Sequence, residues 1–225
     1  MAGIIVLGTA GDYETMKKGR AAGGIIVDAE KHIVIDPGMG AILRAAAFKL
    51  PLEEIDIILE STTERIHTND AEAIRDLSHA PIISPKDAQK KKDIEFLPTR
   101  LESLAFKIKT TKYILAYFSR IAYHRSLLKE LKDVNIIITA YTEQEHALAK
   151  SHLVEMVEDI NPELILLTGF TDNVKDPLEV TRDIKRMLQE RKIPFKTQIL
   201  AAKDGMIINP ESYNIKLKQK SLNQF

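Results

Sequence analysis

The chain has 225 residues, with 32 basic and 32 acidic side chains and no cysteine. The zero net charge gives the chain as a whole no electrostatic preference for nucleic acid or for an anionic membrane. The lack of cysteine excludes disulfides, thiolate nucleophiles and thiolate metal ligands, so any metal would have to be held by histidine, aspartate or glutamate.

Short apolar runs rich in isoleucine and valine, punctuated by glycine and aspartate, predict strands over the first third of the chain. Helices and strands alternate over the last third, and this pattern of elements predicts two sheets packed together with helices outside. The predicted strands are 3–8, 23–30, 32–38, 55–60, 94–99, 104–110, 112–118, 134–141, 163–170, 196–202 and 204–209. The predicted helices are 40–50, about 144–160 and about 176–191. A further helix is predicted to open near Asn69, with Ala71, Ile74 and Leu77 on one face.

No stretch rich in proline, glycine and serine separates two halves, so we expect a single domain over residues 1–213. Residues 214–225 are a basic and loosely docked tail in this interpretation. The opening residues 1–11 lack a basic region before their short apolar run and are typical of a first strand rather than a signal sequence. No later run approaches a membrane span, and we therefore predict a cytoplasmic protein without a membrane partner.

Five motifs occur in an order that resembles the metallo-β-lactamase superfamily, closest to its small RNase Z-like and archaeal hydrolase-like members. They are LGTAGDYETMKKGRAAGG (7–24), IVIDPGMG (33–40), YFSRIAY (117–123), NPELILLTGF (161–170) and AAKDGMIIN (201–209). The resemblance covers almost the whole chain. It implies an α/β fold, the four-layer αββα sandwich made of two mixed sheets with helices outside.

The family's defining metal-binding loop is a Ser/Thr-His-x-His-x-Asp-His stretch that is followed in close relatives by Asn-Asp-Ala-Glu. With NDAE (69–72) as the anchor, the two leading histidine positions are occupied by Thr62 and Glu64. The aspartate position is occupied by Ile66, and only His67 matches the pattern.

The remaining metal ligands that the resemblance implies are also replaced. Arg120 stands where the family has its bridging aspartate, Gly169 stands where it has the last histidine, and residues 100–108 offer no histidine after LPT (97–99). A dinuclear centre needs about three or four protein ligands for each metal. Arg120 would also place a fixed positive charge between two cations. The hydrolytic mechanism of the family, which depends on a metal-activated water, should therefore be lost.

Two interpretations of Arg120 and Glu64 remain open. Arg120 and Glu64 could pair across the vacated pocket as a guanidinium–carboxylate bridge, or both could turn to solvent. His67 could be a surviving metal ligand with Glu64, although a lone histidine more often bonds the backbone or a carboxylate. A set of hydroxyl groups near Arg120 could hold a small anion. These hydroxyls belong to Ser61, Thr62, Thr63, Ser119 and Thr171.

Local backbone chemistry explains other motifs without a catalytic role. Asn69 followed by Glu72 is a capping-box pattern that predicts a helix start. Asp36 with Gly38 and Gly40 is typical of turn architecture, in which glycine permits close approach and aspartate bonds nearby amides. The segment GTAGD (8–12) lacks the Lys-Ser/Thr of a phosphate loop and predicts a turn.

Three functions follow from these observations. The preferred one is a metallo-β-lactamase-fold protein without metal or hydrolytic activity that acts as a binding, scaffolding or regulatory subunit, with a protein partner or through self-association. The first alternative is an atypical metal-dependent hydrolase, phosphodiesterase-like, with zinc or another divalent metal around Glu64 and His67. The second is an RNA-binding module that uses basic residues of the tail and of one central run. The central run comprises Lys86, Lys90, Lys91 and Lys92.

Overall fold

The computed structural model describes residues 3–84, 94–97, 105–119, 123–143 and 147–217. The strands are β1 (Gly3–Val6), β2 (Ile25–Asp28), β3 (His32–Ile35), β4 (Ile57–Leu59), β5 (Ile82–Ile83), β6 (Ile94–Leu97), β7 (Ala105–Lys109), β8 (Ile114–Phe118), β9 (Ile136–Ala140), β10 (Leu164–Thr168), β11 (Gln198–Ala201), β12 (Met206–Ile208) and β13 (Ile215–Leu217). The helices are α1 (Tyr13–Lys17), α2 (Ala41–Ala47), α3 (Arg65–Thr68), α4 (Ala71–Ser78), α5 (Leu127–Glu130), α6 (Lys150–Ile160) and α7 (Pro177–Glu190), with a 3-10 turn at Leu52–Glu54.

The chain divides into two compact units, and each contains one sheet. The first unit consists of Met1–Asp87 and Lys203–Phe225, and the second unit consists of Ala88–Ala202. The first sheet has seven strands in the order β13-β12-β1-β2-β3-β4-β5, and the second has six in the order β11-β10-β9-β8-β7-β6.

The first sheet is antiparallel from β13 to β3 and parallel from β3 to β5. Its apolar core includes Ile5, Ile26 and Val34 from neighbouring strands. Helices α2 and α4 add buried residues to the same core, among them Ala45 and Ile74. The helices therefore cover the sheet through small and aliphatic side chains, and the parallel strands β3 and β4 place their following loops at a common edge.

The second sheet contains four parallel strands, β8 to β11, and two antiparallel strands, β7 and β6. Helices α5, α6 and α7 connect the four parallel strands, as crossover connections must in a parallel sheet. Helices α6 and α7 pack on the core through residues such as Val154 and Ile184. The residues that follow β8, β9 and β10 lie at one edge of this sheet, because the carboxyl ends of parallel strands share an edge.

Two mixed sheets with helices confirm the predicted α/β class, and each predicted strand contains an observed one. The short helices α1, α3 and α5 and the strands β5 and β13 were not predicted. Strand β13 lies inside the predicted basic tail and pairs with β12. Parts of the predicted strands 94–99 and 104–110 lie outside the described residues. Within the described part of the chain, no helix is long and apolar enough to cross a membrane.

The predicted capping box at Asn69 is wrong. Helix α4 begins after Asp70, which makes no side-chain cap for it, and Asn69 instead ends α3. The Asp70 carboxylate accepts a hydrogen bond from the backbone amide of Ile42 at 3.1 Å, in the first turn of α2. Helix α2 follows Gly40, which has no side chain to cap it, so Asp70 supplies the missing acceptor from another segment. Leu77, predicted on the buried face of α4, is 53% exposed.

Replacing Asp70 with alanine should destabilise the protein by about 1 kcal/mol, because the first turn of α2 loses its carboxylate acceptor. Chemical denaturation of the two proteins measures the difference. Asp76→Ala is the matched control, since Asp76 is exposed on the same helix α4. Equal effects of the two substitutions would contradict the capping role of Asp70.

Candidate functional site

The loop that follows β4 is anchored to a buried carboxylate, Asp36. Asp36 directly follows β3, is 3% exposed and has a φ of 48°. Its two carboxylate oxygens accept hydrogen bonds from the Ser61 amide at 2.7 Å and from the Ser61 hydroxyl at 2.5 Å. The Asp36 amide in turn donates to the Leu59 carbonyl at 2.8 Å. These bonds fix the point at which the chain leaves β4, and they confirm the predicted role of Asp36 in bonding nearby amides.

The predicted site residues of this loop include two metal-ligand types. Glu64 directly precedes helix α3, and His67 lies one turn later on that helix. The His67 Nε2 and Glu64 Oε2 atoms are 4.0 Å apart, too far for a direct hydrogen bond. The Thr62 hydroxyl accepts a hydrogen bond from the Glu64 amide at 3.2 Å. The structure therefore brings Glu64 and His67 near each other and uses Thr62 to shape the turn.

Ile66 is part of the local apolar core. Its side chain is 5% exposed and packs with Ala10, Ala22 and Met16. Its carbonyl accepts from the Met39 amide at 3.1 Å. A Cβ on Gly38 would lie 2.2 Å from the Ile66 carbonyl oxygen, so only glycine allows this approach. The motif IDPGMG and helix α3 are thus packed backbone to backbone, as the turn interpretation of Gly38 predicts.

A second carboxylate, Asp204, connects segments that are far apart in the sequence. It accepts hydrogen bonds from the Thr9 hydroxyl at 2.8 Å, the Ala21 amide at 2.8 Å and the Arg44 guanidinium at 3.2 Å. The Arg20 guanidinium also donates to the Thr9 hydroxyl, at 3.0 Å. Sequence reasoning placed Thr9 in a turn and Asp204 in a family motif, and no sequence signal pointed to their contact.

In the second unit, the predicted site residues follow the parallel strands. Ser119 follows β8 and is 7% exposed, and its hydroxyl has no hydrogen-bond partner among the described residues. Arg120, the next residue, lies outside the described residues, so its predicted pairing with Glu64 stays a prediction. Thr171 follows β10, and its hydroxyl shares a hydrogen bond with the Thr142 hydroxyl, with 2.7 Å between the two oxygens. Its hydroxyl also donates to the Asn173 side chain at 2.5 Å.

Gly169 occupies a position with almost no room for a side chain. It has a φ of 56°, and a Cβ built on it would lie 2.8 Å from the Ala140 Cβ at the end of β9. Real Cβ atoms do not approach so closely. The backbone at this predicted ligand position is therefore shaped for glycine.

The described residues offer few metal donors. Over residues 3–84, 94–97, 105–119, 123–143 and 147–217, no group of three or more histidine, aspartate or glutamate side chains could hold a metal ion. Several carboxylates in the first unit already bind protein groups, including Asp36, Asp70 and Asp204. Of the predicted ligand positions in the loop after β4, those that carry a carboxylate or an imidazole are Glu64 and His67.

No family model matches the sequence, and no curated protein matches it significantly. Solved structures do match over most of the chain. The metallo-β-lactamase fold protein YhfI from Bacillus subtilis aligns with a TM-score of 0.70 and 14% identity, covering 91% of this chain and 98% of that one. The short form of human tRNase Z aligns with a TM-score of 0.64 and 13% identity, covering 92% and 98% of the two chains.

A third similar structure is Zn²⁺-bound PqqB from Methylobacterium extorquens, with a TM-score of 0.62 and 10% identity over 92% of this chain and 99% of that one. At these identities the likeness establishes the fold alone. The predicted metallo-β-lactamase type of fold is thereby confirmed.

Replacing Asp204 with alanine should lower the free energy of unfolding by about 2–3 kcal/mol, because the buried Thr9 hydroxyl, the Ala21 amide and the Arg44 guanidinium lose their acceptor. Equilibrium urea denaturation measures this loss. The exposed pair Glu14–Lys17, whose charged atoms are 2.7 Å apart, supplies the control. Glu14→Ala should cost less than about 0.5 kcal/mol. A similarly small cost for Asp204→Ala would show that the cluster contributes little.

Replacing Gly169 with alanine should cost about 2 kcal/mol or more, because the new Cβ meets Ala140 and the backbone has a positive φ. The double variant with Ala140→Gly removes the steric part and should be more stable than the sum of the two single effects predicts. Thermal or chemical unfolding of all four proteins completes the cycle. Strict additivity would show that the contact with Ala140 does not restrict this position.

Proposed function

We propose that this protein, whose fold is the metallo-β-lactamase fold, does not use a dinuclear metal centre for hydrolysis and acts as a binding, scaffolding or regulatory subunit. The observation that carries the proposal is the set of donors at the loop after β4. Among the predicted ligand positions of this loop, Glu64 carries a carboxylate and His67 an imidazole, and the Glu64 Oε2 and His67 Nε2 atoms are 4.0 Å apart.

The chemistry of this donor set does not fit a pair of metal ions. Structural and catalytic zinc sites use three or four protein ligands for each ion, and a pair of ions needs more ligands than the described residues bring together. Ile66 has no lone pair, and its side chain is buried in an apolar cluster. Thr62 is a neutral and weak ligand that already accepts the Glu64 amide. No catalytic step is therefore assigned to a metal.

Steric packing at the second unit supports the same proposal. A histidine at position 169 would have to adopt a φ of 56° with its Cβ close to Ala140. A substitution of Gly169 by histidine would therefore strain the backbone and crowd Ala140.

A binding role is compatible with this fold, because one fold hosts many functions and does not by itself imply any of them. A protein partner, self-association and a small anion near the loop after β4 all belong to this proposal. One of the compared structures is a tRNase Z, so a nucleic-acid-processing assembly is one setting for such a subunit, by analogy of fold.

An atypical mononuclear hydrolase is the second candidate function. It is favoured by the proximity of His67 and Glu64, which lie on one short helix and its preceding residue. Two protein ligands leave most coordination positions of a zinc ion to water or substrate, so this candidate requires weak metal binding. The RNA-binding alternative depends on Lys86, Lys90, Lys91 and Lys92, which lie outside the described residues, and it stays a prediction.

Elemental analysis separates the proposal from the hydrolase. Protein purified without chelator and freed of any histidine tag should retain well under one equivalent of zinc, manganese or iron after dialysis. Titration with ZnCl₂ should then leave the phosphodiesterase activity at background and the unfolding midpoint unchanged, because ligand binding to the native state would raise that midpoint.

His67→Ala is the diagnostic variant, and His79→Ala, at an exposed position, is its control. The proposal requires both variants to have the same metal content as the parent protein. Near-stoichiometric metal that is lost in His67→Ala and kept in His79→Ala would overturn the proposal and establish the mononuclear candidate.

A further inference from the structure

The outer face of helix α7 carries a row of cations. The helix packs on the core of the second unit through residues such as Ile184. Residues three and four positions apart share one side of a helix, and on the side of α7 away from the core such positions are cationic and exposed. They are Arg182, Lys185 and Arg186, and the exposed Lys192 follows two residues after the helix ends. These four residues form the basic face of α7.

Internal ion pairs leave much of this positive charge accessible. The Arg186 guanidinium lies 3.0 Å from the Asp183 carboxylate, and the Arg182 guanidinium lies 4.0 Å from the Asp176 carboxylate. Both arginine side chains are nevertheless about two-thirds exposed, at 67% for Arg182 and 65% for Arg186. In the part of the chain that the structure describes, no carboxylate forms an ion pair with Lys185. The basic face is therefore open to an acidic surface.

The first unit presents exposed carboxylates around His32, where the β2–β3 hairpin meets the 3-10 turn. The His32 amide donates to the Asp56 carboxylate at 2.7 Å, and the His32 Nδ1 atom donates to the Glu54 carbonyl at 3.0 Å. The His32 Nε2 atom lies 3.0 Å from the Asp28 carboxylate. Glu53 and Glu54 are exposed, and over the described ranges neither forms an ion pair. Asp28, Glu53, Glu54 and Asp56 thus form one acidic cluster.

The two charged surfaces are complementary in a chain that has no net charge. The sequence contains 32 basic and 32 acidic residues, so two copies do not repel each other as wholes. The basic face has four cations, and the acidic cluster has four carboxylates, of which Lys31 in the β2–β3 turn offsets one. Opposite patches on two copies attract and like patches repel, so charge determines which surfaces meet.

Other partners fit the basic face less well. The exposed Glu179 and Glu190 on the same helix would repel a continuous phosphate backbone, and α7 has no aromatic residue on which a nucleic-acid base could stack. Binding to a membrane surface requires several apolar side chains on one face, and Leu178 is the exposed large apolar residue of α7. An acidic protein surface matches the basic face best, and this chain supplies one.

We propose that the basic face of α7 in one copy of the chain docks on the acidic cluster around His32 in a second copy. As a choice of partner this rests on the binding role proposed above. The absence of a dinuclear metal centre is tested by metal content and docking is tested by self-association, so each can fail without the other.

Salt dependence is the first test, because contacts between exposed charges are screened by ions. The Debye length falls from about 10 Å at 0.1 M salt to about 3 Å at 1 M. Sedimentation equilibrium of the full chain should show a mass that rises with protein concentration at about 0.02 M salt and stays that of the monomer at about 1 M. A monomer at both salt concentrations, as expected if the basic face binds a foreign partner, or an association that salt does not weaken, would overturn the proposal.

Charge reversal is the second test. Lys185→Glu combined with Lys192→Glu makes the basic face acidic, and Glu53→Lys combined with Glu54→Lys makes the acidic cluster basic. Each double variant alone should self-associate at least about tenfold more weakly than the parent protein, because like charges then face each other. An equimolar mixture of the two double variants should associate again, because an acidic surface of one then meets a basic surface of the other.

A matched control separates docking from the change in net charge. Lys129→Glu combined with Lys132→Glu changes the charge of the chain by the same amount at exposed lysines outside the basic face, and it should retain the self-association of the parent protein. Unfolding midpoints close to that of the parent protein verify that all three double variants are folded. Failure of the mixture to associate, or equal loss of association in the control, would contradict the proposed docking.

Discussion

Burial of the Asp36 carboxylate is the constraint on which the loop after β4 depends. A buried carboxylate is costly unless hydrogen bonds compensate for the lost water, and Ser61 supplies two of them. Because Asp36 follows β3 and Ser61 follows β4, these bonds fix the two parallel strands relative to each other at their carboxyl ends. The close approach of Gly38 to the Ile66 carbonyl then positions helix α3. The placement of Glu64 and His67 is a consequence of this anchoring.

Much of the fold could be predicted because its long elements carry strong local signals. The predicted strand 163–170 contains the apolar run 164–167, and β10 forms there at Leu164–Thr168. Helix α7 starts with Asp176 as its cap and Pro177 in its first turn. Helices α1, α3 and α5 have only four or five residues, too few to show helical periodicity. The NDAE motif was misassigned because Asp70 has a tertiary partner, the Ile42 amide, and local pattern cannot reveal such a partner.

The resemblance predicts that Thr62, Ile66 and Gly169 occupy ligand positions of the family, and this stays a prediction. The packing of two of these residues could not be predicted, because the contacts of Ile66 with Ala22 and of Gly169 with Ala140 join distant segments. The Asp204 cluster likewise joins segments up to 195 residues apart, and only the folded chain shows that its carboxylate is committed to protein donors.

Three carboxylates of the first unit are committed to protein donors. A metal centre needs carboxylate oxygens that point at a cation, yet in the first unit Asp36, Asp70 and Asp204 each accept from protein amides, hydroxyls or a guanidinium. These groups stabilise the fold because their hydrogen bonds are made internally. In the second unit, among the described residues, the Ser119 hydroxyl is a buried polar group without a hydrogen-bond partner. A buried polar group without a partner costs free energy, so the Ser119 hydroxyl carries a cost at the end of β8 that the three carboxylates of the first unit avoid.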